Sequence, residues 1–311
     1  MAGQEQSASL RAPHGVLVVD KPSGPTSHDV VGRVRRLLRT RAVGHAGTLD
    51  PMATGVLVLG VGEGTKLLAH LTGADKSYLA TVQLGAATDT LDAQGQVVQT
   101  APVPALAPAQ IAEIAQRFLG AQAQRVPEFS AVRVDGQRLY DRARRGESVS
   151  TPERDVVVHE LELMRVALPE LVLRVRCSKG FYVRALARDL ALALGTLGHL
   201  TALRRTHSGA FGLEDAAAPE LLAQNADGAA LRARLLPLSA ALRGCARGVL
   251  NAAGVTDVSH GRPLPPSRFE ACDALEPGQQ PIALVDEAGV LRALGRAEGG
   301  RVLVIRGIRC D

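Results

Sequence analysis

The chain has 311 residues, 46% of them hydrophobic and 22% charged, with a formal net charge of +5. That balance belongs to a chain able to bury a core and excludes the apolar-poor, charge-rich composition of disordered polymers. No apolar run approaches the roughly 20 residues of a membrane helix, and the start MAGQEQSASLRAPHG lacks a signal-peptide centre, so a soluble, cytoplasmic protein with no membrane partner is expected.

After a polar lead-in over residues 1–13, expected to be disordered, Gly15 to Val19 reads as a short apolar strand that runs into the turn Asp20-Lys21-Pro22-Ser23-Gly24-Pro25. Thr26 or Ser27 can cap a helix in which Val30, Val31, Val34, Leu37 and Leu38 recur at helical spacing, with Arg33, Arg35, Arg36 and Arg39 on its other face. Only Lys21, Lys66, Lys76 and Lys179 among the 36 basic residues are lysines. The planar guanidinium suits phosphates and base faces, so a polyanion is the favoured class of partner.

Gly55 to Leu59 reads as a buried strand, Thr65 to Leu71 as a short helix and Ser77 to Leu84 as a second strand. Thr88 to Val98 looks like a loop closing into another strand, and Pro108 to Leu119 like a helix. About 124–152 forms a basic, apolar-poor insertion. Strand-like runs at Asp155 to Ala167 and Glu170 to Cys177 lead into an amphipathic helix from about Phe181 to Leu194, with Val183, Leu186, Ala187, Leu190 and Leu194 as its core stripe. Tyr182 and Arg184 lie beside that stripe, which predicts that they face a cleft rather than the core. Leu200 to Phe211 resembles a further strand, and Ala217 to Leu242 a pair of short helices.

A boundary is expected near Cys245. It separates a large body, 14–245, from a small unit, 246–311, of short β-like runs broken by Gly and Pro. Cys177, Cys245, Cys272 and Cys310 are too dispersed for a zinc site or a disulfide framework, so free thiols and no metal are expected.

The most informative stretch is Gly44-His45-Ala46-Gly47-Thr48-Leu49-Asp50-Pro51-Met52-Ala53-Thr54-Gly55. Small residues around one carboxylate let backbone approach a bulky ligand, and Pro51 stiffens the chain just after the acid. An isolated Asp-Pro pair would read as an ordinary turn. The whole string, however, resembles the motif G-H-x-G-[TA]-L-D-P-x-A-[TS]-G of TruB-like pseudouridine synthases. Further segments of that family follow in order: Lys21-Pro22-Ser23-Gly24-Pro25-Thr26-Ser27, Lys76-Ser77-Tyr78, and Cys177-Ser178-Lys179-Gly180-Phe181-Tyr182-Val183-Arg184. Gln124 to Ala131 resembles Q-x-P-P-x-[YF]-S-A, with Val126 where the first proline is usual, which predicts a different bend there. Gly136 to Gly146 follows G-x-x-L-Y-x-x-A-R-x-G.

The resemblance implies an α+β pseudouridine synthase fold, a mixed and largely antiparallel sheet flanked by helices, closed by a small β-rich domain similar to the PUA type. It implies isomerisation of a uridine in the T-loop of tRNA, without a cofactor, by a protein with no implied protein partner and a monomer by default. Asp50 would be the essential carboxylate, Arg184 its ion-pair partner, and Tyr78 the residue that stacks on the base and takes its proton. His45 and Tyr182 would hold the extruded nucleotide, Lys21 would support the loop beneath it, and Arg142 and Arg144 would grip RNA. Two alternatives stand beside this reading: an RNA-binding or RNA-folding protein without activity, and a related synthase acting on other RNAs.

Overall fold

The computed structural model describes residues 13–130, 132–134, 136–139, 142, 145, 151–223 and 226–309. Its strands are β1 (Gly15–Lys21), β2 (Val43–His45), β3 (Thr54–Val61), β4 (Lys76–Leu84), β5 (Ala86–Thr88), β6 (Val97–Thr100), β7 (Gly120–Arg125), β8 (Arg133–Val134), β9 (Gln137–Arg138), β10 (Glu153–Ala167), β11 (Glu170–Cys177), β12 (Gly198–Ser208) and β13 (Phe211–Gly212). The main sheet runs β1-β3-β12-β4-β11-β10-β7, with β2 paired to β3 and β13 to β12. Only the β3–β12 pair is parallel, so the sheet is mixed and largely antiparallel, as expected.

The helix Ser27–Leu37 starts where the capping residues predict. Thr26 accepts from the Asp29 amide while the Asp29 carboxylate accepts from the Thr26 amide, a reciprocal cap that satisfies two otherwise orphaned donors. Its valines pack with Leu17 and Val19 of β1, Leu57 and Leu59 of β3, and Leu186 and Leu190 of the helix Val183–Ala193. On the opposite face of the same strands, Val16, Val18, Val56 and Val58 pack with Ala283, Val285, Leu291 and Leu294. A strand covered on both sides needs an uninterrupted apolar run rather than alternation, and β3, TGVLVLGV, carries one. Each fully buried Leu or Val contributes about 1.5–3 kcal/mol.

The C-terminal residues form a second sheet ordered β15-β14-β16-β17-β18, from β14 (Arg247–Leu250), β15 (Phe269–Cys272), β16 (Ile282–Val285), β17 (Leu291–Glu298) and β18 (Arg301–Gly307). It also holds a helix, Ala252–Ser259, capped by the Asn251 side chain on the Gly254 amide, where only β-like runs were expected. The expected pair of helices over Ala217 to Leu242 resolves differently: 3-10 turns at Pro219–Leu222 and Leu238–Leu242 flank one short helix, Gly228–Ala233. Pro219 and Pro237 interrupt the Ala/Leu pattern and admit no longer helix. Cys177, Cys245 and Cys272 are unpaired thiols, while Cys310 lies outside the described residues. Among the described residues no helix is long and apolar enough to cross a membrane.

At the start of β3, Gly55 has φ +101°, and a Cβ there would lie 2.1 Å from the Arg205 carbonyl oxygen. The motif glycine thus permits the close approach of β3 to β12. Gly55→Ala is expected to destabilise the protein by more than about 2 kcal/mol, read as a lower urea midpoint; an unchanged midpoint would show that the two strands can spread without cost.

Candidate active site

The Asp50 loop leaves β2 and returns into β3, and its neighbours are tied down on both sides of the acid. The Ser27 hydroxyl accepts from the Leu49 amide at 2.9 Å and donates to the Leu49 carbonyl at 3.2 Å. The Gly24 amide donates to the Pro51 carbonyl at 2.9 Å. Lys21, 0% exposed, spends its three ammonium hydrogens on the carbonyls of Pro22, Pro51 and Ala53 at 2.9, 3.1 and 2.7 Å. The segment Lys21 to Ser27 therefore embraces the loop from below. Lys21 touches backbone only, so any share it has in substrate binding is indirect, through the shape of that loop.

Within this frame the Asp50 carboxylate is 31% exposed and faces Arg184, which is 6% exposed. One terminal nitrogen of Arg184 donates to Asp50 Oδ1 at 3.1 Å. Its Nε lies 2.9 Å from Oδ2, a charge contact off the line of the N–H. The other acceptors of this guanidinium are the Thr90 carbonyl at 2.8 Å and the Phe129 carbonyl at 3.0 Å. A second carboxylate, Asp92, lies behind it with Oδ2 at 3.8 Å from Nε, oriented by the Thr90 hydroxyl and the Gln94 amide on its Oδ1. Arg184 does sit beside the apolar stripe of its helix, but it is buried rather than lining open space. It points into a polar floor built from three separate loops.

Asp92 was visible in the sequence only as one acid of a loop. Arg205 was not singled out at all, because an arginine pair in a strand reads as solvated. It is 1% exposed and donates to the carbonyls of Val56 at 2.6 Å, Gly47 at 3.2 Å and Thr48 at 3.4 Å. It is also the cross-strand partner of Tyr78, on which its charge acts. Tyr78, 8% exposed, lies on β4 close enough to Asp50 to feel its charge. Burial raises its phenol above the usual range, the Asp50 charge adds to that, and Arg205 opposes it. Lys76, also buried, donates to the carbonyls of Thr72 and Ala74, and burial brings its ammonium down to about 8.

His45 is half-buried, meets His28 edge to face at 5.2 Å between ring centres, and has no hydrogen-bond partner on its buried Nδ1. Burial, His28 and Arg205 all lower its pKa, so the ring is neutral at neutral pH and suited to lie against a base. Tyr182 caps the Val183–Ala193 helix, and the Gln124 side chain clamps its backbone, accepting from the amide at 2.8 Å and donating to the carbonyl at 3.1 Å. Val126, at the position where proline was expected, donates its amide to the Pro152 carbonyl at 3.0 Å. A proline could not make that bond. Arg142 is half-buried within the insertion; Arg144 lies outside the described residues. Among the described residues no three His, Cys, Asp or Glu side chains converge as metal ligands.

Burial brings the Lys21 ammonium down from 10.5 to about 8, partly offset by the nearby Asp50 carboxylate. Between these values the unfolded chain holds a proton that the folded protein has released, so stability from this position grows as pH rises from about 8 to 10.5. Relative to Lys21→Met, the wild-type protein is expected to gain stability across that window in urea titrations; a difference independent of pH would refute a neutral amine beneath the loop.

Comparison with known proteins adds an independent line. The N-terminal domain of TruB family pseudouridylate synthases matches residues 35–183, and the tRNA pseudouridylate synthase B C-terminal domain matches 184–243. The tRNA pseudouridine synthase B of Mycobacteroides abscessus is 46% identical over 282 residues, covering 88% of this chain and 93% of its own. That of Mycobacterium tuberculosis is 46% identical over 269 residues, covering 84% and 88%. In structure, a chain from an H/ACA ribonucleoprotein bound to a substrate RNA containing 2'-deoxyuridine superposes with a TM-score of 0.74 at 24% identity, over 95% of this chain and 85% of that one, which speaks for the shared fold. With the family's sequence pattern matched through loop, strand and helix, the chain belongs to the TruB family of pseudouridylate synthases.

Proposed function

We propose that the protein isomerises uridine to pseudouridine in tRNA, at the T-loop, with Asp50 as the essential carboxylate. The observation that carries this reading is one partly exposed acid held against a buried guanidinium in a loop whose backbone is tied down on both sides. An ion pair of this kind keeps the acid ionised and aimed, as a nucleophile or base requires.

In the reaction the bond from N1 to the ribose breaks, the uracil turns, C5 bonds to the same carbon, and the C5 proton leaves while N1 gains one. Nothing is oxidised and no group is donated from outside, so the chemistry needs no redox or carrier cofactor. Attack on the sugar, attack on the ring and removal of a sugar proton all draw on the same ionised Asp50. Tyr78 is the group assigned to the base and its proton. The uridine leaves its stack at a cost of a few kcal/mol, which contact with the neutral His45 ring and with Tyr182 offsets.

Arginines of the Ser27–Leu37 helix and of the insertion, Arg142 and Arg144 among them, are assigned to phosphates, with shape rather than sequence read along the T-arm. The catalytic body over 14–245 acts as a monomer, and the β-rich unit over 246–311 adds a PUA-like RNA contact.

The test is to incubate the protein with unmodified tRNA and map pseudouridine. Product in the T-loop is expected from the wild type, and a loss of at least about a thousandfold from Asp50→Asn; product elsewhere in the tRNA would refute the site, and undiminished product from the mutant would refute the acid. Arg142→Ala is expected to weaken tRNA binding and to make the dependence of log affinity on log salt shallower by about one unit. Affinity unchanged at every salt concentration would remove this residue from the interface.

A further inference from the structure

Arg205 is a buried cation that the chemistry above leaves without a role. It sits on β12 between β3 and β4, at the rung where it pairs with Gly55 on one side and Tyr78 on the other. Residues directly opposite in an antiparallel pair share a face of the sheet, so the guanidinium and the phenol emerge together beneath the Asp50 loop. A Cβ on Gly47 would lie 3.7 Å from one terminal nitrogen of Arg205, so the guanidinium runs directly under the motif glycine. Its donors reach the Val56 carbonyl in β3 and the Gly47 and Thr48 carbonyls ahead of Asp50.

We propose that Arg205 is the positioning residue that sets the Asp50 loop and the Tyr78 phenol in one fixed relation, by bonding the loop while lying beside the phenol on the shared face of the sheet. The idea rests on the isomerase reading and adds to it the reason why two groups from distant parts of the chain keep their spacing. Burying an unpaired guanidinium would be prohibitive, and each acceptor here belongs to the acid's loop or the strand that follows it. The neighbouring Arg204 serves another end, forking onto Asp20 at 2.7 and 3.2 Å at a half-exposed position. Lysine at 205 could donate to some of these acceptors from a single nitrogen but could not span loop and strand with the reach of the guanidinium fork.

The test compares Arg205→Lys and Arg205→Met with the wild type under single-turnover conditions, with enzyme saturating over tRNA, beside tRNA affinity and thermal unfolding. At saturation the rate constant does not depend on the fraction of molecules that are active, so a merely structural role would lower the melting temperature and leave the rate constant alone. Expected are rate constants reduced about 10-fold in Arg205→Lys and about 100-fold in Arg205→Met, as misplacement on the scale of an ångström produces, with affinity changed less than about threefold. In a Tyr78→Phe background the same Arg205→Lys change should cost less than it does alone, because the two side chains act together. Rate constants within twofold of the wild type in folded variants overturn the proposal. If Arg205→Met does not fold, Arg205→Lys decides; if neither folds, Arg205 is a structural group and the proposal fails. Absence of product from the wild type instead refutes the isomerase reading, so the two failures are distinguishable.

Discussion

A guanidinium carried into a protein interior must find acceptors for its fork of donors, and Arg184 finds them on three segments that are remote in sequence. Asp50, the Thr90 carbonyl and the Phe129 carbonyl all converge on it, with Asp92 behind. Desolvating such charges costs several kcal/mol, and taking one partner from a buried pair typically destabilises by about 3–5 kcal/mol because the other charge is left uncompensated. Asp50 is partly in water, which reduces that figure on its side. The loops are therefore mutually dependent: none can move without leaving part of a buried charge unmet.

The scaffold beneath them works by repeated use of backbone carbonyls as acceptors. Lys21, Lys76 and Arg205 are all buried and spend most of their donors on main-chain oxygens of the loop and its surroundings. Such bonds hold the chain whatever the neighbouring side chains do. Arg205 also lowers the pKa of both lysines through its charge, so these cations tolerate one another at the expense of their protons. A loop of small residues, with little side-chain packing of its own, is made rigid by cations from β1 and β12.

Much of this arrangement was legible in the sequence. The helix at Ser27–Leu37, its Thr26 cap and the apolar run of β3 follow from local rules of spacing and capping, and the family pattern around Asp50 pointed to its pairing with Arg184, now seen in the structure. What escaped depends on neighbours that lie far along the chain. Arg204 and Arg205 alternate on β12, and a period of two says that they face opposite sides without saying which side is covered; only the stacking of the Asp50 loop decides it. Asp92 looked like one acid among several in a turn until β12 tacked that loop down through Leu200. Ala217 to Leu242 has the composition of helices, but its prolines and its need to follow β1 break it into turns.

The double-sided burial of β1 and β3 ties the fate of the C-terminal sheet to that of the reaction centre. Ala283, Val285, Leu291 and Leu294 belong to the same apolar cluster as Val16, Val18, Val56 and Val58, with the turn Leu238–Leu242 in contact with both β1 and β16, so that sheet is a wall of the synthase interior as well as an appendage. Were it peeled away, that shared cluster would lose part of its lining and show a sticky aliphatic face to solvent. A shortened chain would thus be prone to self-association before any effect on RNA contact could be measured.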